Sequence, residues 1–138
     1  MTDPVSYDLI VIGAGQGGGP LAGTVAEAGH DVALLERRHV GGTCVNRGCT
    51  PTKTMIASAR VAHLARRAGD YGVETGDVSV DLETVRQRKR DIVGMFRSGS
   101  RSSIEEKDTL DLIEGDGRLV DPNTVEVALN GDVDDGGP

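Results

Sequence analysis

The chain has 138 residues, room for one domain with a single hydrophobic core. Its formal net charge of −7, from 15 basic and 22 acidic side chains, argues against nucleic acid as the main partner. No apolar run reaches membrane-spanning length, and Met1 to Tyr7 lacks the basic start and apolar stretch of a signal peptide, so a cytoplasmic location and no membrane partner are expected.

In chain order, Tyr7-Asp8-Leu9-Ile10-Val11-Ile12 reads as a buried strand, short, β-branched and ended by glycine. Gly13-Ala14-Gly15-Gln16-Gly17-Gly18 follows and fits G-x-G-x-x-G on Gly13, Gly15 and Gly18. A small-residue helix is predicted over Pro20 to Ala28, closed by Gly29. Val32-Ala33-Leu34-Leu35 is a second buried strand, with Glu36 at its carboxyl end. Strand, glycine turn, helix, strand and acid in this order are what dinucleotide binding requires. Gly13 turns the chain, Gly15 opens the backbone to a pyrophosphate, and Gly18 lets the helix pack close. The helix N-terminus favours phosphate charge, and Glu36 can accept from ribose hydroxyls. The glycine pattern alone does not separate FAD from NAD. The bland reading is a glycine-rich turn with a solvated Glu36.

Next comes Gly41-Gly42-Thr43-Cys44-Val45-Asn46-Arg47-Gly48-Cys49-Thr50-Pro51-Thr52-Lys53, which holds both cysteines of the chain. Cysteines this close can close a small, readily reopened disulfide, and a cytoplasmic setting favours a reactive pair over a structural one. If they are bonded, the segment between them cannot be regular helix, and Asn46 and Gly48 permit that. The alternative is two buried cysteines that never react. Zinc is disfavoured, since only His30, His39 and His63 could join them and none has finger-like spacing. A helix is predicted just after Cys49, with Thr50 as cap and Pro51 at its first position, running to about Ala68. Its positive end and Lys53 would favour a thiolate at Cys49. His63 reads as surface or packing.

A short extended piece is expected at Val78-Ser79-Val80. A long helix is expected from about Leu82 to Glu106, with Ile92, Val93, Met95 and Phe96 on its apolar side and a break or kink near Gly94 and Gly99. Arg86, Arg88, Lys89 and Arg90 read as its solvated face. Leu110 to Glu114, Arg118 to Val120 and Val125 to Leu129 read as separate short strands, with a turn at Asp121-Pro122-Asn123. Residues 131–138 read as an acidic, glycine-rich disordered tail after a domain over 1–130. No metal site, internal repeat, Ser-His-Asp set or paired-carboxylate set is assigned.

The glycine motif and the cysteine stretch together resemble the N-terminal FAD-binding part of the pyridine nucleotide–disulfide oxidoreductases, a family that includes dihydrolipoamide dehydrogenase and mercuric reductase. The resemblance implies an α/β fold: a Rossmann-like FAD-binding domain, its parallel sheet flanked by helices, incomplete, with the start of a small β-meander. It implies FAD as cofactor. Cys44 would be the interchange thiol, Cys49 the thiolate against the flavin, and Lys53 the cation beside flavin and thiolate. Glu36 would bind the adenosine ribose, Gly42 and Thr43 the FAD phosphates or ribityl chain, and Gly117 would make a backbone contact near the adenine. The implied chemistry passes electrons from NAD(P)H through FAD to a Cys44–Cys49 disulfide, then to a disulfide or mercuric ion, in an enzyme that is a homodimer when complete. Family enzymes continue well beyond this length, and the chain has no second glycine fingerprint. A binding module that holds FAD without turnover, or a small dithiol or soft-metal protein, are the alternatives.

Overall fold

The computed structural model describes residues 3–130, so the expected tail at 131–138 lies outside the described residues. The elements are β1 (Leu9–Ile12), α1 (Gly18–Glu27), β2 (Val32–Glu36), α2 (Gly42–Asn46), α3 (Cys49–Arg66), a 3-10 turn (Ala68–Tyr71), α4 (Leu82–Glu105), β3 (Leu110–Asp121) and β4 (Thr124–Leu129). They form two compact units. One joins the residues up to Gly42 with those from Arg97 onward; the other is Thr43–Phe96.

The first unit is a four-stranded sheet in the order β1-β2-β3-β4. β1, β2 and the first part of β3 run parallel, and β3 and β4 are antiparallel. β2 is central and its Val32 to Leu35 are buried, as expected of a strand covered on both faces. Val32 and Leu34 join Val11, Leu110, Ala22, Ala26 and Ile104 in one core. Each fully buried branched side chain contributes roughly 1.5–3 kcal/mol of transfer free energy. The small residues of α1 let it lie close to the sheet. At Gly23 a Cβ would stand 3.3 Å from Cε of Lys107, whose ammonium pairs with Glu27 at 2.6 Å.

The structure departs from the sequence expectations at four elements here. α1 starts two residues before Pro20, on Gly18, and the proline sits within its first turn, where a missing N–H costs nothing. The strands expected at Leu110 to Glu114 and Arg118 to Val120 are one strand, β3. It leaves β2 after Glu114 and pairs with β4 from Gly115 onward. A glycine is needed at that handover, because a Cβ on Gly115 would stand 2.6 Å from the Ala128 carbonyl oxygen. Val78-Ser79-Val80 forms no strand.

The fourth departure is α4, which runs unbroken from Leu82 to Glu105 through Gly94 and Gly99. A helix absorbs an isolated glycine at about 1 kcal/mol. A Cβ at Gly99 would meet no atom within 4 Å. Gly99→Ala should therefore stabilise the chain by about 0.5–1 kcal/mol, read as a higher urea midpoint with unchanged slope. An unchanged or lower midpoint would contradict this account of the helix.

In the second unit, Asp81 caps α4 by accepting the N–H groups of Glu83 at 2.9 Å and Thr84 at 3.2 Å and the Thr84 hydroxyl at 2.6 Å. These bonds hold its carboxyl below the usual range, the Thr84 hydroxyl contributing most. Arg88, expected on a solvated face, instead donates to the Thr54 carbonyl of α3 at 3.1 Å and to the Ser58 hydroxyl at 3.4 Å. Thr54 is buried and its hydroxyl donates to the Thr50 carbonyl at 2.8 Å. Of the side chains expected on the apolar side of α4, Val93 is buried, while Met95 and Phe96 are exposed. His63 is exposed, as expected. Among the described residues, no helix is long and apolar enough to cross a membrane.

Candidate functional site

The first unit assembles Gly13, Gly15, Gly18, Glu36 and Gly42. β1 ends and Gly13 turns at φ 102°, its N–H donating to the Leu35 carbonyl at 2.7 Å. A Cβ on Gly18 would run into the Gly13 carbonyl oxygen and stand 3.0 Å from Cγ1 of Val11. The third glycine of the motif thus lets α1 start directly against the end of β1. No side chain caps α1, and its first turn holds no acidic residue. That leaves the positive helix end to whatever anion approaches it.

Glu36 closes this turn from β2. One carboxylate oxygen accepts the Ala14 N–H at 2.9 Å and the other accepts the Arg38 N–H at 2.9 Å. Each oxygen keeps a further lone pair for an outside donor. The acid is therefore tied to the glycine turn itself, a link that sequence spacing did not reveal.

Gly41 and Gly42 dock backbone to backbone on the same turn. The Gly41 N–H donates to the Ala14 carbonyl at 2.8 Å, and a Cβ on Gly42 would stand 2.8 Å from Cα of Gly15. Gln16 Nε2 adds a bond to the Gly41 carbonyl at 3.4 Å. Gly42 thus has a packing reason of its own beside the cofactor contact expected of it. Gly117 lies on β3, where a Cβ would collide with the Leu35 side chain and stand 3.7 Å from Cγ1 of Ile12. That places it at the strand ends next to Gly13 and Glu36.

The second unit carries Thr43, Cys44, Cys49 and Lys53. Cys44 lies in the short helix α2 and Cys49 is the first residue of α3. The irregular part of the segment is therefore Arg47-Gly48, and Asn46 is helical. Gly48, not Thr50, stands at the N-cap of α3, and Pro51 is its third residue. A Cβ on Gly48 would stand 3.1 Å from the Thr43 carbonyl oxygen and 3.4 Å from Cα of Cys44. The absence of a side chain there is what lets the two helices meet tightly enough to bring the cysteines together.

Both cysteines are free thiols, Cys44 half-buried and Cys49 exposed. A hydrogen bond between the two thiols pushes the Cys44 pKa up, and burial and the Cys49 charge add to it. The Cys49 backbone N–H and the Lys53 ammonium pull the other way and are outweighed. In the dithiol form Cys44 thus holds its proton more firmly than an ordinary cysteine. Such a pair can share a proton, lose two electrons together and close a disulfide. Among the described residues, no group of three or more His, Cys, Asp or Glu is placed to hold a metal ion.

The pattern of the family described as pyridine nucleotide-disulphide oxidoreductase matches residues 7–135. The chain is 38% identical over 117 residues to dihydrolipoyl dehydrogenase of Bacillus subtilis (strain 168), covering 85% of this chain and 24% of that protein. It is 36% identical over 122 residues to mercuric reductase of Lysinibacillus sphaericus, covering 88% of this chain and 22% of that protein. Among solved structures it is similar to the Cu(II) complex of the HOCl-induced flavoprotein disulfide reductase RclA from Escherichia coli. That match has a TM-score of 0.73 and 29% identity, and covers 93% of this chain and 26% of that one. The chain therefore spans about a quarter of the length of the curated relatives it matches. With a glycine turn closed by an acid, a paired dithiol at a helix start and a family match over nearly its whole length, the chain belongs to the pyridine nucleotide–disulfide oxidoreductases, a family of FAD-dependent oxidoreductases.

Proposed function

We propose that this chain supplies the FAD-binding and redox-cysteine portion of an NAD(P)H-dependent reductase whose substrate is a disulfide or the mercuric ion. The observation that carries the reading is the placement of two free thiols, Cys44 in α2 and Cys49 at the start of α3, where Gly48 lets the two helices meet closely. The first unit fits the cofactor: an uncapped helix end suits the pyrophosphate and the Glu36 carboxylate suits ribose hydroxyls. Gly13, Gly15 and Gly18 would admit the pyrophosphate, Gly42 and Thr43 the neighbouring phosphate or ribityl groups, and Gly117 the adenine end. Bound there, FAD would supply two-electron transfer between NAD(P)H and the cysteine pair.

The cysteines do the rest. Opening their disulfide takes up two electrons and two protons. Cys44, as a thiolate, then attacks one sulfur of a substrate disulfide and the other substrate sulfur leaves as a thiol. Cys49 attacks Cys44 in turn, the internal disulfide re-forms, and the second thiol is released. Lys53, within electrostatic reach of Cys44, stabilises the thiolate that each exchange needs. The reading includes a cytoplasmic location, where such a pair can cycle, and a homodimer for the complete enzyme.

A second reading is a module that holds FAD without turnover by itself; the chain spans about a quarter of the length of the curated relatives it matches. The test is a visible spectrum of the purified chain after FAD is added and the excess removed, before and after dithiothreitol, with an NAD(P)H oxidation assay on lipoamide, glutathione disulfide and Hg²⁺ beside it. Retained flavin whose spectrum shifts on thiol reduction, without NAD(P)H turnover, is the expected result. Colourless protein would overturn the FAD reading for this chain, and robust turnover would overturn the module reading.

A further inference from the structure

Glu36 and Glu114 are register partners on β2 and β3. Register partners on neighbouring strands project from the same face of a sheet. Glu36 and Glu114 thus leave one face of the sheet from neighbouring register positions, Glu36 where the nucleotide reading puts the ribose. Arg101 supplies a countercharge to Glu114. It sits near the end of α4, one turn before Ile104, which lies in the core with Leu34 and Leu110. Its guanidinium takes Glu114 with both prongs, Nη1 to Oε1 at 2.7 Å and Nη2 to Oε2 at 3.3 Å, while Nε donates to Glu105 at 2.6 Å. The Arg101 hydrogen bond, with help from its charge and that of His39, holds the Glu114 carboxyl below the usual range.

The backbone behind the pair is tied into the same network. The Asn130 N–H donates to the Glu114 carbonyl at 3.0 Å, and Asn130 Nδ2 donates to the Arg37 carbonyl at 3.2 Å. Glu36 itself spends its bonds on Ala14 and Arg38. Of the two acids, one is thus neutralised by a cation and the other is aimed at the glycine turn.

We infer that Arg101 is a positioning residue for nucleotide binding: by anchoring and neutralising Glu114, it leaves Glu36 as the carboxylate presented to the ribose hydroxyls. The inference rests on the proposed ribose role of Glu36. It is tested by titrating ADP, which carries the ribose and a pyrophosphate, into the full chain by calorimetry. The set is the parent, E36Q, R101Q, R101K, E114Q and R101Q/E114Q, each with its melting temperature recorded.

Loss of Glu36 should weaken ADP binding by about tenfold or more, the scale of a lost charged hydrogen bond. R101Q should weaken it by about fivefold, the upper range for a partly exposed charge pair, and less at high salt. R101K should recover part of the loss. Removing the Glu114 charge should restore R101Q/E114Q towards the parent. A merely structural Arg101 would not show that rescue, since the double variant would bind no better than R101Q. Independently of whether R101Q folds, E114Q must bind ADP as tightly as the parent, and weaker binding overturns the inference. If E36Q weakens binding and R101Q does not, the Arg101 inference fails alone. If the parent binds no ADP, or E36Q binds it unchanged, the nucleotide reading fails and takes the inference with it.

Discussion

Alanine at position 18 should cost the chain about 3 kcal/mol or more of unfolding free energy, whereas alanine at the adjacent Gly17 should cost under about 1 kcal/mol. At Gly17 an added Cβ meets no atom within 4 Å. At Gly18 it would be driven into the Gly13 carbonyl oxygen, with the Val11 side chain 3.0 Å away. A carbonyl oxygen belongs to the backbone and cannot swing aside. Gly13 is also held by its own N–H bond to the Leu35 carbonyl at 2.7 Å. Relief therefore requires α1 to move off β1 and Ala22 and Ala26 to leave the core they share with Leu34. Urea unfolding followed by circular dichroism measures both variants. Equal midpoints for G17A and G18A would refute the packing role given to the third glycine.

The second large effect is on the thiols. The parent chain should titrate two thiols after dithiothreitol and none after oxidation by diamide, without disulfide cross-links between chains. C44S and C49S should each keep one thiol that no intramolecular partner can remove, so their only disulfides join two chains. The reason is local. Cys44 and Cys49 lie on α2 and the start of α3, and Gly48 lets those two helices meet without a side chain between them. Loop closure over so short a segment needs no distant contact. The rate carries a pH signature. The Cys49 thiol and burial raise the Cys44 pKa, so the reactive thiolate appears at higher pH than for an ordinary cysteine. Oxidation should keep accelerating above the usual thiol range. Thiol loss equally fast in C44S and the parent, or a parent that only cross-links between chains, would contradict the pairing.

Much of the site is legible in the chain itself because it is local. The glycine motif sits between two short apolar strands, and Glu36 ends the second, so β1, α1 and β2 can be read by periodicity and turn chemistry. The proximity of the cysteines follows from the few residues between them. The capping acid Asp81 is equally local, since an Asp directly before the run that begins at Leu82 is a helix-start signal.

Other features depend on partners far along the chain. The unbroken run of β3 depends on two different neighbours, β2 for its first part and β4 for the rest, and neither is visible from the Gly-rich stretch between Glu114 and Arg118. Propensity suggested a break there, and the two ladders overrode it. In the same way, hydrogen bonding along α4 carried the helix through Gly94 and Gly99.

By itself, then, the sequence determined the βαβ unit with its glycine turn, the acid at its tip and the closeness of the two cysteines, because each arises among near neighbours through backbone sterics and short-range periodicity. Only the tertiary structure decided that Gly42 packs on Gly15, that Glu36 is bonded to the Ala14 N–H, and that Arg101 neutralises Glu114 beside it. Those contacts join residues distant along the chain, and their energies exist only once the sheet has set which strand ends lie side by side.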